Sequence, residues 1–294
     1  KIIFKLLIFM PFIGFGQYWQ QQGQDIDGDL AGDEFGKWIS TNASGDRVAI
    51  GAPSANDNDG YIKIYDWNGV SWVQMGQDID GEAYSDNSGF KISFNSLGNK
   101  VAIGAIDNAG NGYNAGHVRV YSWNGSSWTQ QGQDLDAESS HDRAYNVDMN
   151  GSGDEIVIGA AGNDDSDYNA GHARVFVWNG SSWNQKGLDI DGEASWDSFG
   201  ESSINSSGDI LAIGASGNDA NGDNSGLVRL YNWNGTSWVL LGQGIAGEEA
   251  GDESAVVSLN DCLLYTSPSP RDQRGSGMPA AAWKKKGGGG GGGG

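Results

Sequence analysis

Side-chain oxygens at alternate positions are the commonest pattern with chemical potential in this chain. Asp25-Ile26-Asp27-Gly28 returns as Asp78-Ile79-Asp80-Gly81 and as Asp189-Ile190-Asp191-Gly192. Drifted copies stand at Asp134-Leu135-Asp136-Ala137 and Gly244-Ile245-Ala246-Gly247. A calcium loop begins this way, because a hard cation gathers about six to eight oxygens around a tight turn. The third ligand of such a loop is missing from every copy. Asp25, Asp27, Asp78, Asp80, Asp189 and Asp191 are therefore metal candidates of the calcium class only. An acidic, solvated turn between repeats is the preferred reading, and chelation is then expected to leave stability nearly unchanged.

A second set of residues suits binding. Asn163-Asp164-Asp165-Ser166-Asp167 and Asn218-Asp219-Ala220-Asn221-Gly222-Asp223 are oxygen-rich loops, and Trp38 and Trp196 are tryptophans without counterparts elsewhere in the repeat. Indoles beside carboxylates and amides hold a sugar by stacking and hydrogen bonding. Trp38, Trp196, Asp165, Asp167, Asp219 and Asp223 are the ligand-binding candidates, set against the simpler reading of the loops as polar turns. His117 and His172 share one repeat position with Tyr61 and Leu227, which suggests facing residues rather than ligands. His141 has no partner discernible in the sequence. No nucleophile–base pair or phosphate-binding loop is visible, so neither catalytic residues nor a cofactor are expected, calcium apart, and the chain reads as a non-enzyme.

The elements that must position these residues are repeated. Trp67-Asn68-Gly69-Val70-Ser71-Trp72 recurs at 123–128, 178–183 and 233–238, with the second tryptophan at 72, 128, 183 and 238. A period of that regularity marks a repeat architecture. Each repeat reads as four short strands. The first is Phe35 to Thr41, followed by the tight turn Asn42 to Asp46. The second, Arg47 to Ala52, sets Val48 and Ile50 on one face and Ala49 and Gly51 on the other, as suits a sheet squeezed between neighbours. A variable Asp/Asn/Gly loop leads to the third, Tyr61 to Tyr65, with Ile62 and Ile64 expected inward and Lys63 and the aromatics outward. The Asn-Gly hairpin then leads to the fourth, its two tryptophans stacking across the strands.

Four-stranded units that cover one another's apolar faces describe an all-β propeller with repeats of about 55 residues. A β-solenoid is the rival, but its coils are much shorter. Four complete blades are expected over 17–260, with a fifth begun at Glu248. The segment Tyr18 to Gly23 reads as a fourth strand without the three before it. The ring is thus expected to be truncated and incompletely closed, or strained, with that segment joining whatever blade edge is available.

The ends read differently. Lys1 and Lys5 flank the apolar run Ile2 to Phe15, so residues 1–16 are expected to be a secretory signal peptide. A membrane anchor is the alternative, but the run is short of the ~20 residues a span needs. From Cys262 to Asp272 the chain reads like a translated sequencing adapter, followed by a lysine run and eight glycines. Residues 261–294 are taken as non-biological, with no stable packing expected. Of the 17 basic and 38 acidic residues, that tail carries five and two, leaving 12 against 36 and a formal −24. Such a surface repels nucleic acid and anionic lipid. The single cysteine, Cys262, lies in the tail, so no disulfide is expected.

Phe35-Gly36, then Val48-Ala49-Ile50-Gly51-Ala52-Pro53, then Gly60-Tyr61-Ile62-Lys63-Ile64-Tyr65 resembles the FG-GAP repeat, the blade unit of integrin alpha-chain propellers and of secreted bacterial proteins. Phe-Gly recurs at Phe199-Gly200, and Gly-Ala at 104–105, 159–160 and 214–215. The Gln-Asp-Ile-Asp-Gly-Glu wording is similar to exported Gram-negative proteins that use type IX secretion, which end in a sorting domain. The family's calcium loop joins the first and second strands. Here that connection is only Asn42 to Asp46 and its equivalents, so those metal residues do not carry over.

The resemblance implies a secreted or cell-surface protein. It is expected to act as a monomeric extracellular binding or adhesion module for a glycan or protein ligand, without nucleic acid and without membrane insertion once the leader is removed. A structural scaffold of a surface layer is the alternative, and a glycan-active enzyme a third.

Overall fold

The period-two alternation becomes four antiparallel five-stranded sheets in the computed structural model, which describes residues 20–259 and 264–266. The leader, Tyr18, Trp19 and the rest of the tail lie outside the described residues.

The first blade comprises β1 (Trp38–Thr41), β2 (Arg47–Ala52), β3 (Tyr61–Trp67), β4 (Trp72–Gln74) and β5 (Ile79–Asp80). β6 (Ser88–Phe94), β7 (Lys100–Ala105), β8 (His117–Trp123), β9 (Trp128–Gln130) and β10 (Leu135–Asp136) form the second. β11 (Ala144–Met149), β12 (Glu155–Ala160), β13 (His172–Trp178), β14 (Trp183–Gln185) and β15 (Ile190–Asp191) form the third. The fourth holds β16 (Phe199–Ile204), β17 (Ile210–Ala215), β18 (Leu227–Trp233), β19 (Trp238–Leu240) and β20 (Ile245–Ala246).

The expected fourth strand is therefore broken in two. β4 pairs with the end of β3 and β5 with its start, and the same holds in every blade. β5, β10, β15 and β20 fall on the later copies of the Asp-Ile-Asp segment, so these are edge strands and not turns, whereas Asp25–Asp27 forms no strand. The first strand is also shorter than expected. Glu34 and Gly36 take positive φ, 56° and 89°, and so Phe35-Gly36 is a turn ahead of Trp38.

The core lies between blades. Ala49, Ile62 and Ile64 of the first pack on Ile92, Phe94, Val101 and Ile103 of the second. Equivalent clusters fill the next two junctions. The small face of the second strand lets the sheets meet. A Cβ on Gly104 would collide with the Tyr145 carbonyl, and one on Gly159 with that of Gly200. Glycine is required there by close approach of backbone, as the alternation of large and small residues indicates.

The innermost strands are laced in series. Phe94 N–H donates to Ser40 Oγ at 3.0 Å, Met149 N–H to Ser93 Oγ at 3.0 Å, and Leu259 N–H to Ser203 Oγ at 3.0 Å. Asp148 takes the serine's place at the third position, its carboxylate accepting from Ile204 N–H at 2.9 Å. β21 (Val257–Leu259) extends the series and pairs with β22 (Leu264–Thr266), a strand within the stretch read as adapter.

The series is open at both ends among the described residues. Ile39, equivalent to the buried Ile92, is 61% exposed, and Ile245, equivalent to the buried Ile190, is 44% exposed. Gln20–Gly23 is not a strand; the Trp72 indole N–H donates to the Gln22 carbonyl at 3.0 Å, docking it on the first blade.

Candidate functional site

Most of the repeated polar residues turn out to hold blades together. The tryptophans of each hairpin stack across the strand pair with centroids 5.2–5.4 Å apart. The second of each pair reaches into the preceding repeat. Trp128 Nε1–H donates to the Met75 carbonyl at 2.8 Å, Trp183 to Gln131 at 2.8 Å and Trp238 to Lys186 at 3.0 Å. The first lies against a glycine of that repeat, where a Cβ on Gly76 would clash with Trp123. Gln77 brackets the Trp128 backbone, donating to its carbonyl at 2.8 Å and accepting from its N–H at 3.3 Å, and Gln133 does the same for Trp183.

The acidic motif has a related role. The first aspartate of each copy accepts from the glutamine four residues before it, on the outer strand in the later copies: Asp25 from Gln21 at 2.7 Å, Asp78 from Gln74 at 2.6 Å and Asp189 from Gln185 at 2.5 Å. The acid after the motif pairs with the middle cation of the next blade's third strand. Lys63 meets Asp29 at 2.5 Å, Arg119 meets Glu82 at 3.0 Å, Arg174 meets Glu138 at 3.3 Å, and Arg229 forms a bidentate pair with Glu193. Lys63 was expected to face solvent. Instead it is buried beside Tyr61, with Asp29 and Asp78 closing over its ammonium. Hydrogen bonding by Arg229 holds the Glu193 carboxyl below the usual range. Burial, with help from neighbouring carboxylates, raises Asp80 and Asp191. Asp27, Asp80 and Asp191 are exposed on this edge.

Among the six metal candidates only Asp189 joins a cluster of potential ligand groups among the described residues, with Glu138, Asp165 and His172. Glu138 and His172 had no metal role assigned from sequence. The signal available was positional: histidine opens the third strand in only two of four repeats.

Trp38 and Trp196 do not form a pair. Trp38 sits on innermost strand β1, with Phe90 5.9 Å away and Lys91 Nζ 4.8 Å above its ring. Trp196 lies on the connection before β16, 61% exposed, edge-on to Tyr168 at 4.8 Å and 74°. Its N–H donates to the Tyr168 carbonyl at 2.9 Å, and its φ is +69°. The left-handed region costs a non-glycine residue about 1–2 kcal/mol. Gly32 and Gly251 fill the same position in the first and last repeats without that strain. Ser85 and His141 take the same conformation in the second and third repeats, so the turn is common to the series and only here carries an indole.

Beside it opens a cavity of about 520 Å³ lined by Ser195, Trp196, Ser198, Asp219, Asp223 and Asn224, among others. Two of the four aspartate candidates, Asp219 and Asp223, are brought to Trp196. Asp219 Oδ1 accepts from Asn224 N–H at 2.7 Å, which fixes the loop. Asp167 accepts from Tyr168 N–H at 2.8 Å, and a hydrogen bond from Ser195 holds its carboxyl below the usual carboxylate range, so it braces the aromatic pair. Asp165 turns to the preceding junction. A milder version of the aromatic pair, Tyr113 and His141 at 5.5 Å, stands one blade earlier.

No family model and no curated protein sequence matches the chain. Solved structures do. A Bacteroides uniformis protein provisionally assigned as a 6-phosphogluconolactonase aligns with TM-score 0.51 at 11% identity, over 72% of this chain and 55% of that one. TolB from Acinetobacter baumannii aligns with TM-score 0.41 at 11% identity, over 69% and 42%. This chain therefore spans about half the length of the structures it resembles. The fold is a β-propeller.

Proposed function

We propose that this propeller is an extracellular binding module that takes a glycan in the cavity beside Trp196. The observation that carries the reading is the exposed indole, kept at positive φ and braced by Tyr168, at the lip of a polar cavity. Such a face stacks on the C–H side of a sugar ring, while Asp219, Asp223 and Asn224 offer acceptors and a donor for its hydroxyls. Most of the remaining repeated polar residues are occupied in the joints between blades, which supports a binding role over chemistry. The sequence supports export to the outside or the cell surface and kinship with secreted FG-GAP repeats, through Phe35-Gly36 and the Gly-Ala strands.

A glycan array probed with residues 17–294 tests this. One class of oligosaccharide is expected to bind, and Trp196→Ala is expected to weaken it at least ~30-fold at unchanged far-ultraviolet dichroism, since loss of a stacked aromatic removes about 2 kcal/mol or more. No array signal, or a signal indifferent to Trp196→Ala, would contradict the proposal. Release of sugar during incubation would replace it with an enzyme.

A further inference from the structure

The junction of the second and third blades gathers Glu138 from the end of one outer edge, Asp165 from a loop, His172 from the start of β13 and Asp189 from ahead of β15. One ligand atom from each lies within 4.8 Å of all the others. His172 is fully buried, and neither ring nitrogen has a hydrogen-bond partner. Burying an imidazole with both nitrogens unpaired is unfavourable unless something else occupies them. Its Nδ1 lies 3.8 Å from Glu138 Oε2. We propose that Glu138, Asp165, His172 and Asp189 bind one divalent first-row transition-metal ion.

The charge count favours a dication. Three carboxylates converge on the junction, and the nearest cation, Arg174, engages only Oε1 of Glu138 while its other end donates to the Asp136 carbonyl at 2.8 Å. Burial and the crowding of Asp189 and Asp165 raise the Glu138 carboxyl despite Arg174. Burial also keeps the His172 ring neutral, the form in which imidazole is a ligand. The nitrogen ligand selects a borderline metal such as zinc over calcium. Tetrahedral bonds of about 2.0–2.1 Å place donors roughly 3.3 Å apart, so the 3.8 Å separation needs to close by about half an ångström.

The other blades act as internal controls. In the first, Lys63 supplies the positive charge itself, 2.5 Å from Asp29 and 3.9 Å from Asp78. In the second, Glu82, His117 and Asp134 form a three-ligand version, with Gly110 where the third blade has Asp165. In the fourth, Leu227, Ala220 and Gly244 replace three of the four ligands, and Glu193, at the position of Glu138, is engaged by Arg229.

Untagged full chain, treated with chelator and dialysed, would be titrated calorimetrically with Zn²⁺ and separately with Ca²⁺. One saturable Zn²⁺ site is expected, with a weaker second from the Glu82 group. His172→Leu and Asp165→Ala, which install residues the fourth blade already carries, are each expected to weaken the tight site at least tenfold. Asp219→Ala should leave it unchanged. Co²⁺ should give d–d absorption that His172→Leu abolishes. Absence of a saturable Zn²⁺ site, equal binding by His172→Leu, or preference for Ca²⁺ would each overturn the proposal.

Discussion

His172 contributes a definite part of this protein's pH dependence. Burial, and then the charge of Arg174, push its pKa from the ordinary 6.5 down to about 4, against the pull of Asp189 and Asp165. Above pH 6.5 the ring is neutral folded and unfolded, and pH has no effect through it. Between 6.5 and 4 the unfolded chain takes a proton that the folded chain refuses, so stability falls as pH falls. Below about 4 the loss is complete. A shift of that size amounts to roughly 3 kcal/mol. In urea unfolding with chelator present, wild type should lose about that much more than His172→Leu between pH 7 and 4. Parallel losses would show that the ring is solvated. Little of this was legible beforehand, because period alignment equates His172 with Tyr61 and Leu227 and says nothing of the carboxylates that loops bring to it.

Between blades the recurring element is a joint: one tryptophan on a glycine, the next donating to a carbonyl, a glutamine bracketing its backbone. The joint of the third and fourth blades lacks the last part. Leu188 stands where Gln24, Gln77 and Gln133 stand elsewhere, and it is 86% exposed. Leu188→Gln should restore both hydrogen bonds to Trp238 and stabilise the protein by about 0.5–1 kcal/mol in thermal or urea unfolding. No gain would mean that the bracket is incidental. The strands and hairpins of the joint were readable, because Asn-Gly turns and alternating faces are local codes. The partners were not, since Glu193 and Arg229 are 36 residues apart and meet only through the stacking of blades. The same reason hid the burial of Lys63. It left the Asp-Ile-Asp segments resembling metal loops, although their register with the third strand makes them edges. Trp196 stood out because it broke the repeat, and that departure was the usable signal at the cavity. Tyr168, its brace, was missed although Tyr113 precedes it by one repeat, because the sequence does not show which residue a loop tyrosine will meet.

At the scale of the whole molecule, the blades form an open series among the described residues, and the last face is covered by β21 at its inner strands and left uncovered at its outer ones. Val239, Leu240 and Ile245 are exposed on the last blade, while Ile190, one repeat earlier, is buried. Ile245→Thr should therefore change stability by less than about 0.5 kcal/mol, whereas Ile190→Thr should lose about 2 kcal/mol or more. Equal losses would show that the last face is covered in solution. The open series leaves the loop cavity on complete blades, with Trp196 at its lip.

That placement sets the most direct measurement, the indole N–H spectrum of ¹⁵N-labelled protein titrated with the best oligosaccharide from the array. The Trp196 resonance, assigned by its loss in Trp196→Phe, should shift saturably while the indoles of the hairpin joints stay fixed. A still Trp196 signal, or shifts concentrated on the hairpin tryptophans, would contradict the account.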